Sequence, residues 1–176
     1  MAVLSKEDWS FWQENGYVVI PNAVQQENLD RMVETIWQFL DMDPDDSETW
    51  YKYKPYTRDD RSSPISGAGM VEMYQHQALW DNRQHPKIHQ AFSEIWDDER
   101  LWVSIERANM KSPARDDRPE WGHQGMIHWD VDTSEQPIRF GVQGVLYLTD
   151  TAAEQGAFVC VPGFHRRIED WLDSLP

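Results

Sequence analysis

The feature that most constrains the fold of this chain is a change of hydrophobic period near residue 101. Before it, apolar residues recur at three- and four-residue steps. Leu29, Met32, Val33, Ile36, Trp37 and Leu40 form one stripe of an amphipathic helix. After it, they alternate. In the segment 138–148, Phe140, Val142, Leu146 and Leu148 share one face and Arg139, Gln143 and Tyr147 the other, the pattern of a strand with one packed side and one wet side. Helices first and strands after predict an α+β domain with helices backing a β-barrel or sandwich. A chain of 176 residues suits a single domain with a core of useful size.

Local signals divide the chain further. Ser5 followed by Asp8 predicts a capped helix that carries Trp9, Phe11 and Trp12 and stops at Asn15-Gly16. Tyr17 to Ile20 reads as a short strand closed by Pro21, and two further helices are expected over roughly 70–79 and 86–96, the second opening on Pro86. The segment 43–68, with Pro44, Pro55, Pro64 and Gly67, predicts an irregular excursion, and a loop of that length is usually functional or mobile. Strands are expected at 101–109, 126–131, 138–148 and 157–161, with a short helix from about Ile168.

Composition excludes several functions. A net charge of −15 repels phosphate backbones, so nucleic acid is not an expected partner. Cys160 stands alone, which rules out an intrachain disulfide and a multi-cysteine zinc site. No segment has the apolar length of a signal peptide or a membrane span, so a cytoplasmic protein with no membrane partner is expected. Ten tryptophans favour a cored protein. Oligomeric state is not legible.

The chemistry concentrates at His128-Trp129-Asp130. In an extended segment, residues two apart face the same way, so an imidazole and a carboxylate converge while Trp129 points elsewhere. These are two members of the 2-His-1-carboxylate triad that holds non-haem Fe(II) with an open face for cosubstrate and dioxygen. A lone His-x-Asp is equally compatible with an incidental ion pair on a surface strand.

Three further landmarks accompany the motif. They are Phe11-Trp12-x-x-Asn15-Gly16-Tyr17-Val18-Val19-Ile20-Pro21-Asn22 ahead of the amphipathic helix, Arg107-Ala108-Asn109-Met110-Lys111, and Glu154-Gln155-Gly156-Ala157-Phe158-Val159-Cys160-Val161-Pro162-Gly163-Phe164-His165. In order and spacing the four resemble the phytanoyl-CoA dioxygenase family of Fe(II)- and 2-oxoglutarate-dependent oxygenases. Phe164 departs from the pattern, standing where that family usually has Ser.

The resemblance implies a double-stranded β-helix, a jelly-roll or cupin-like core, backed by the N-terminal helices. It implies that His128 and Asp130 ligate Fe(II), that Lys111 holds a 2-oxoglutarate carboxylate, and that Gln143 contacts cosubstrate or substrate. Lys111 also reads simply as a solvated lysine before a loop. Related iron halogenases replace the carboxylate ligand with a small residue, so Asp130 points to hydroxylation. The implied reaction consumes dioxygen and 2-oxoglutarate, releases succinate and hydroxylates a small organic or acyl substrate, with ascorbate able to serve as reductant.

The third ligand is harder to place. In the implied fold the distal histidine lies about five strands after His-x-Asp, on the order of 40 to 60 residues on. His165 is only 35 residues beyond Asp130 and falls in the Pro-Gly-x-His turn, which suggests a structural turn histidine. His123 reads as a rim or solvent residue, and His76, His85 and His89 as surface or packing residues. Only 11 residues follow His165, too few for the remaining strands, the distal histidine and the arginine that the family uses for cosubstrate. The expectation is therefore the N-terminal portion of a longer oxygenase, incomplete at the C-terminus and inactive alone. Two alternatives stand beside it: a truncated non-catalytic domain or binding module, and a cupin-like metal enzyme using His165.

Overall fold

The computed structural model describes residues 2–122, 127–135 and 137–175. The chain forms two compact units, one of Met1–Ala23, Met126–Tyr147 and Thr151–Pro176, the other of Val24–Gly125 with Leu148–Asp150.

In the first unit, helix α1 (Lys6–Asn15) begins at the capping box the sequence predicts. The Asp8 amide donates to Ser5 Oγ at 3.0 Å, and the Ser5 amide donates to Asp8 Oδ2 at 2.9 Å. Two orphan donors of the first turn are thereby satisfied. The helix ends where Gly16 adopts φ +78°, a left-handed conformation that a side chain resists, and its amide donates to Trp12 O at 2.8 Å. The short helix expected near Ile168 is present as Ile168–Asp173 and is labelled α5 once the second unit's elements are counted.

The second unit holds α2 (Gln26–Leu40), strand β1 (Met70–Val71), α3 (Gln77–Arg83), α4 (Pro86–Trp96) and strand β2 (Ala108–Asn109). From the stripe on α2, Met32, Ile36 and Leu40 are buried, and they pack with Ile65, Val71, Met73, Leu79, Ala108 and Trp121 in one core. β1 and β2 are antiparallel, with Met70 opposite Asn109 and Val71 opposite Ala108. Gly69, at φ +87°, allows this pairing, since a Cβ there would lie 2.8 Å from Met110 O.

Two expectations are corrected. The helix predicted over 70–79 is displaced, because Met70 and Val71 join the ladder and the helix starts only at Gln77, capped by His76, whose Nδ1 accepts from the Ala78 amide at 3.1 Å. α4 has the same device at His85, whose Nδ1 accepts from the Lys87 amide at 3.3 Å. Secondly, of the predicted strands only Ala108–Asn109 forms a ladder among the described residues; 17–20, 127–131, 138–148 and 157–161 are irregular there. A strand is completed by a partner, and sequence periodicity supplies only one side of that bargain. Phe140, Val145, Phe158 and Val159 accordingly remain exposed. The chain is thus mixed helix and sheet, and its described residues do not form a jelly roll. No helix among them is long and apolar enough to cross a membrane.

Candidate metal centre

His128 and Asp130 sit in the first unit and turn toward one another, His128 Nε2 lying 3.4 Å from Asp130 Oδ1. Both side chains are 59% exposed. The other carboxylate oxygen, Asp130 Oδ2, accepts a hydrogen bond from Gln143 Nε2 at 3.2 Å. Asp130 is therefore held from one side while Oδ1 faces the imidazole. The residue between the pair takes the opposite course: Trp129 stacks on Phe164, with ring centroids 6.2 Å apart and planes 10° from parallel, and meets Trp171 edge-on at 5.4 Å. These contacts form without a paired strand beneath them, residues 127–131 being irregular.

His165 does not join the pair. Its Nε2 lies 3.2 Å from Gln13 O, at the end of α1, and its ring lies against Gly16. In the same turn, the Gly163 amide donates to Asn15 O at 2.9 Å. Here His165 braces the turn against the end of α1. Among the described residues no group of three or more His, Cys, Asp or Glu could hold a metal ion. His123 lies outside them. His85 pairs with Gln25 Oε1 at 2.8 Å and the exposed His89 with Glu99 O at 3.0 Å.

Lys111 belongs to the second unit. Its ammonium donates to Gly67 O at 2.6 Å and to Gly122 O at 3.3 Å, and partial burial pushes its pKa down. Two carbonyls leave one of its three N–H donors for a further acceptor. In the same unit, the excursion at 43–68 and the loop after residue 112 are tied together: Ser112 Oγ donates to Trp50 O at 2.7 Å, Tyr51 Oη donates to Pro113 O at 2.8 Å, and the Arg115 guanidinium lies 4.9 Å from the Tyr51 ring centre. Sequence reasoning marks both as irregular and misses that they brace one another.

The family model described as phytanoyl-CoA dioxygenase matches residues 12–173. This chain belongs to the phytanoyl-CoA dioxygenase family. A Dictyostelium discoideum protein provisionally named as a phytanoyl-CoA dioxygenase is 22% identical over 203 residues, covering 94% of this chain and 57% of that protein. Ava biosynthesis cluster protein O of Aspergillus versicolor is 26% identical over 170 residues, covering 90% of this chain and 51% of that protein. The chain spans about half the length of these curated relatives. No solved structure matches it significantly.

The phytanoyl-CoA dioxygenase family has a cupin-type double-stranded β-helix fold and generally depends on Fe(II) and 2-oxoglutarate. The donors present fit part of such a centre. Two ligands at about 2.1 Å from one ion and at right angles are about 3 Å apart, close to the observed 3.4 Å. A polar group on the outer carboxylate oxygen is also the usual way a metal-binding carboxylate is oriented.

Proposed function

We propose that this chain carries two iron ligands and part of the cosubstrate site of a cytoplasmic Fe(II)- and 2-oxoglutarate-dependent dioxygenase that hydroxylates a small organic or acyl substrate. The observation that carries the reading is the approach of His128 Nε2 to Asp130 Oδ1, with Gln143 on the far carboxylate oxygen. Bound iron with 2-oxoglutarate and dioxygen would supply the oxidising power to hydroxylate a C–H bond. The chain's own part is to present an imidazole and a carboxylate and to hold the carboxylate by Gln143; the remaining N–H of Lys111, in the second unit, is what the family resemblance would assign to a cosubstrate carboxylate. Gln143 would then reach cosubstrate or substrate only from its place beside Asp130. The third imidazole and an arginine for the distal cosubstrate carboxylate are assigned to sequence outside these 176 residues. The half-length overlap with both relatives supports that assignment.

The test is succinate release from 2-oxoglutarate with Fe(II) and ascorbate. The expected result is no turnover by the 176-residue chain, and turnover by a chain extended through a downstream histidine and arginine that is abolished by His128→Ala. Turnover by the 176-residue chain that disappears in His165→Ala would instead establish the cupin-like alternative.

A second reading, a non-catalytic binding module, is favoured by the exposed apolar side chains at Phe140, Val145, Phe158 and Val159, which suit a covered surface better than an open one. Extended chain that binds iron but releases no succinate would favour it.

A further inference from the structure

We propose that Phe164 and Trp171 act as positioning residues for the metal ligands, by clamping Trp129 and so fixing the direction in which His128 and Asp130 project. The proposal rests on the metal-centre reading above. Trp129 is bonded through the backbone to both ligand residues, so its side chain is the nearest handle on their orientation. That handle is gripped on two sides, by the near-parallel Phe164 ring at 6.2 Å and the Trp171 edge at 5.4 Å, and the two gripping rings meet each other at 5.8 Å and 67°. Three mutually contacting aromatic rings define one geometry, because each pair has a preferred offset or edge-on arrangement.

The clamp is itself anchored. Phe164 follows Gly163, whose amide bonds Asn15 O at 2.9 Å, and precedes His165, which reaches Gln13 O at 3.2 Å. The end of α1 therefore holds the turn, the turn holds Phe164, and Phe164 holds Trp129. Gln143 adds a further hold on the segment through its bond to Asp130 Oδ2.

Manganese(II), which needs no reductant, is the probe. Its binding to the full 176-residue chain is followed by the electron paramagnetic resonance of the free ion, and the component lost in His128→Ala is taken as the site. Phe164→Leu keeps apolar bulk but removes the ring, and it should raise the dissociation constant of that component roughly 10-fold, the usual size of an outer-sphere loss. Phe164→Tyr keeps the ring and should bind as the parent does. Unchanged affinity in Phe164→Leu, with His128→Ala defective, overturns the clamp and leaves the metal centre standing. Equal loss in Phe164→Leu and Phe164→Tyr also overturns it, since ring stacking would then not be the cause. Binding that His128→Ala does not affect overturns the metal-centre reading, and the clamp with it.

Discussion

Gly16 offers a measurable link between backbone conformation and the turn that carries Phe164 and His165. Gly16→Ala places a Cβ in the left-handed region, which costs a non-glycine residue about 1 kcal/mol. An ideal Cβ there would lie 2.4 Å from His165 Nδ1 and 2.9 Å from Cγ, so the imidazole must move. Moving it breaks the Nε2 contact to Gln13 O, worth about 1 kcal/mol as a net hydrogen bond. Gly16→Ala should therefore cost about 2 kcal/mol, and His165→Ala about 1 kcal/mol for the same bond. In the double variant the ring is gone, so the bond is lost once and the strain remains, giving about 2 kcal/mol rather than the additive 3 kcal/mol. Urea unfolding followed by far-UV circular dichroism reads this directly, as a shift of about 1 M in midpoint for Gly16→Ala at a typical slope. An additive double variant would refute the steric account, because Gly16 and His165 would then not share a cost.

Three other predictions concern separate features. Gln143→Leu frees Asp130 Oδ2 and should weaken the His128-dependent manganese binding roughly 10-fold, whereas Gln143→Glu sets a second carboxylate oxygen beside Asp130 and should tighten it; titration followed by paramagnetic resonance checks both. Leu40, fully buried in the second unit's core, should cost about 3 kcal/mol as Leu40→Ala in urea unfolding, and a cost below about 1 kcal/mol would mean that the core is not packed as described. Glu72 accepts from Tyr56 Oη at 2.6 Å and Tyr74 Oη at 2.7 Å and pairs with Arg107 at 3.0 Å, contacts that hold its carboxyl below the ordinary 4.5. A depressed carboxylate contributes stability that is full above its unfolded pKa and is lost as pH falls through the folded one. Stability should thus decline below about pH 4.5, and Glu72→Gln should flatten that acid limb in thermal melts taken across pH.

The helices were the legible part of the fold because their signals are local. Ser5 and Asp8 cap α1, the stripe on α2 is buried where its period says, and α4 runs from Pro86 to Trp96 as read. The displaced α3 shows the limit: the apolar residues of 70–79 fit a helical stripe, but Val71 is drawn into pairing with Ala108, thirty-seven positions away in sequence. No window of local periodicity contains that partner. The strands of the second half fail for the same reason, since alternation at 138–148 prescribes faces and leaves the hydrogen-bonding neighbour unspecified. At the site, the i, i+2 spacing of His128 and Asp130 was enough to bring them together. The Gln143 contact to Asp130 spans 13 positions and the Phe164 contact to Trp129 spans 35. No local window around Phe164 contains Trp129, so this contact is visible only in the structure.

The same turn connects the two kinds of test. If the end of α1 supports the ligands through residues 163–165 and Phe164, a substitution at Gly16 should be felt by a metal ion even though Gly16 offers no donor side chain. Gly16→Ala displaces His165 and strains the turn that carries Phe164, so its His128-dependent manganese affinity should fall. His165→Ala removes one anchor but leaves the Gly163 amide on Asn15 O, so its loss should be smaller. Adding His165→Ala to Gly16→Ala should then recover affinity, because the group that the new methyl would push is gone. Recovery would exclude a direct ligand role for His165, since deleting a ligand cannot restore binding; a further loss in the double variant would return His165 to the list of donors and make the turn part of the centre.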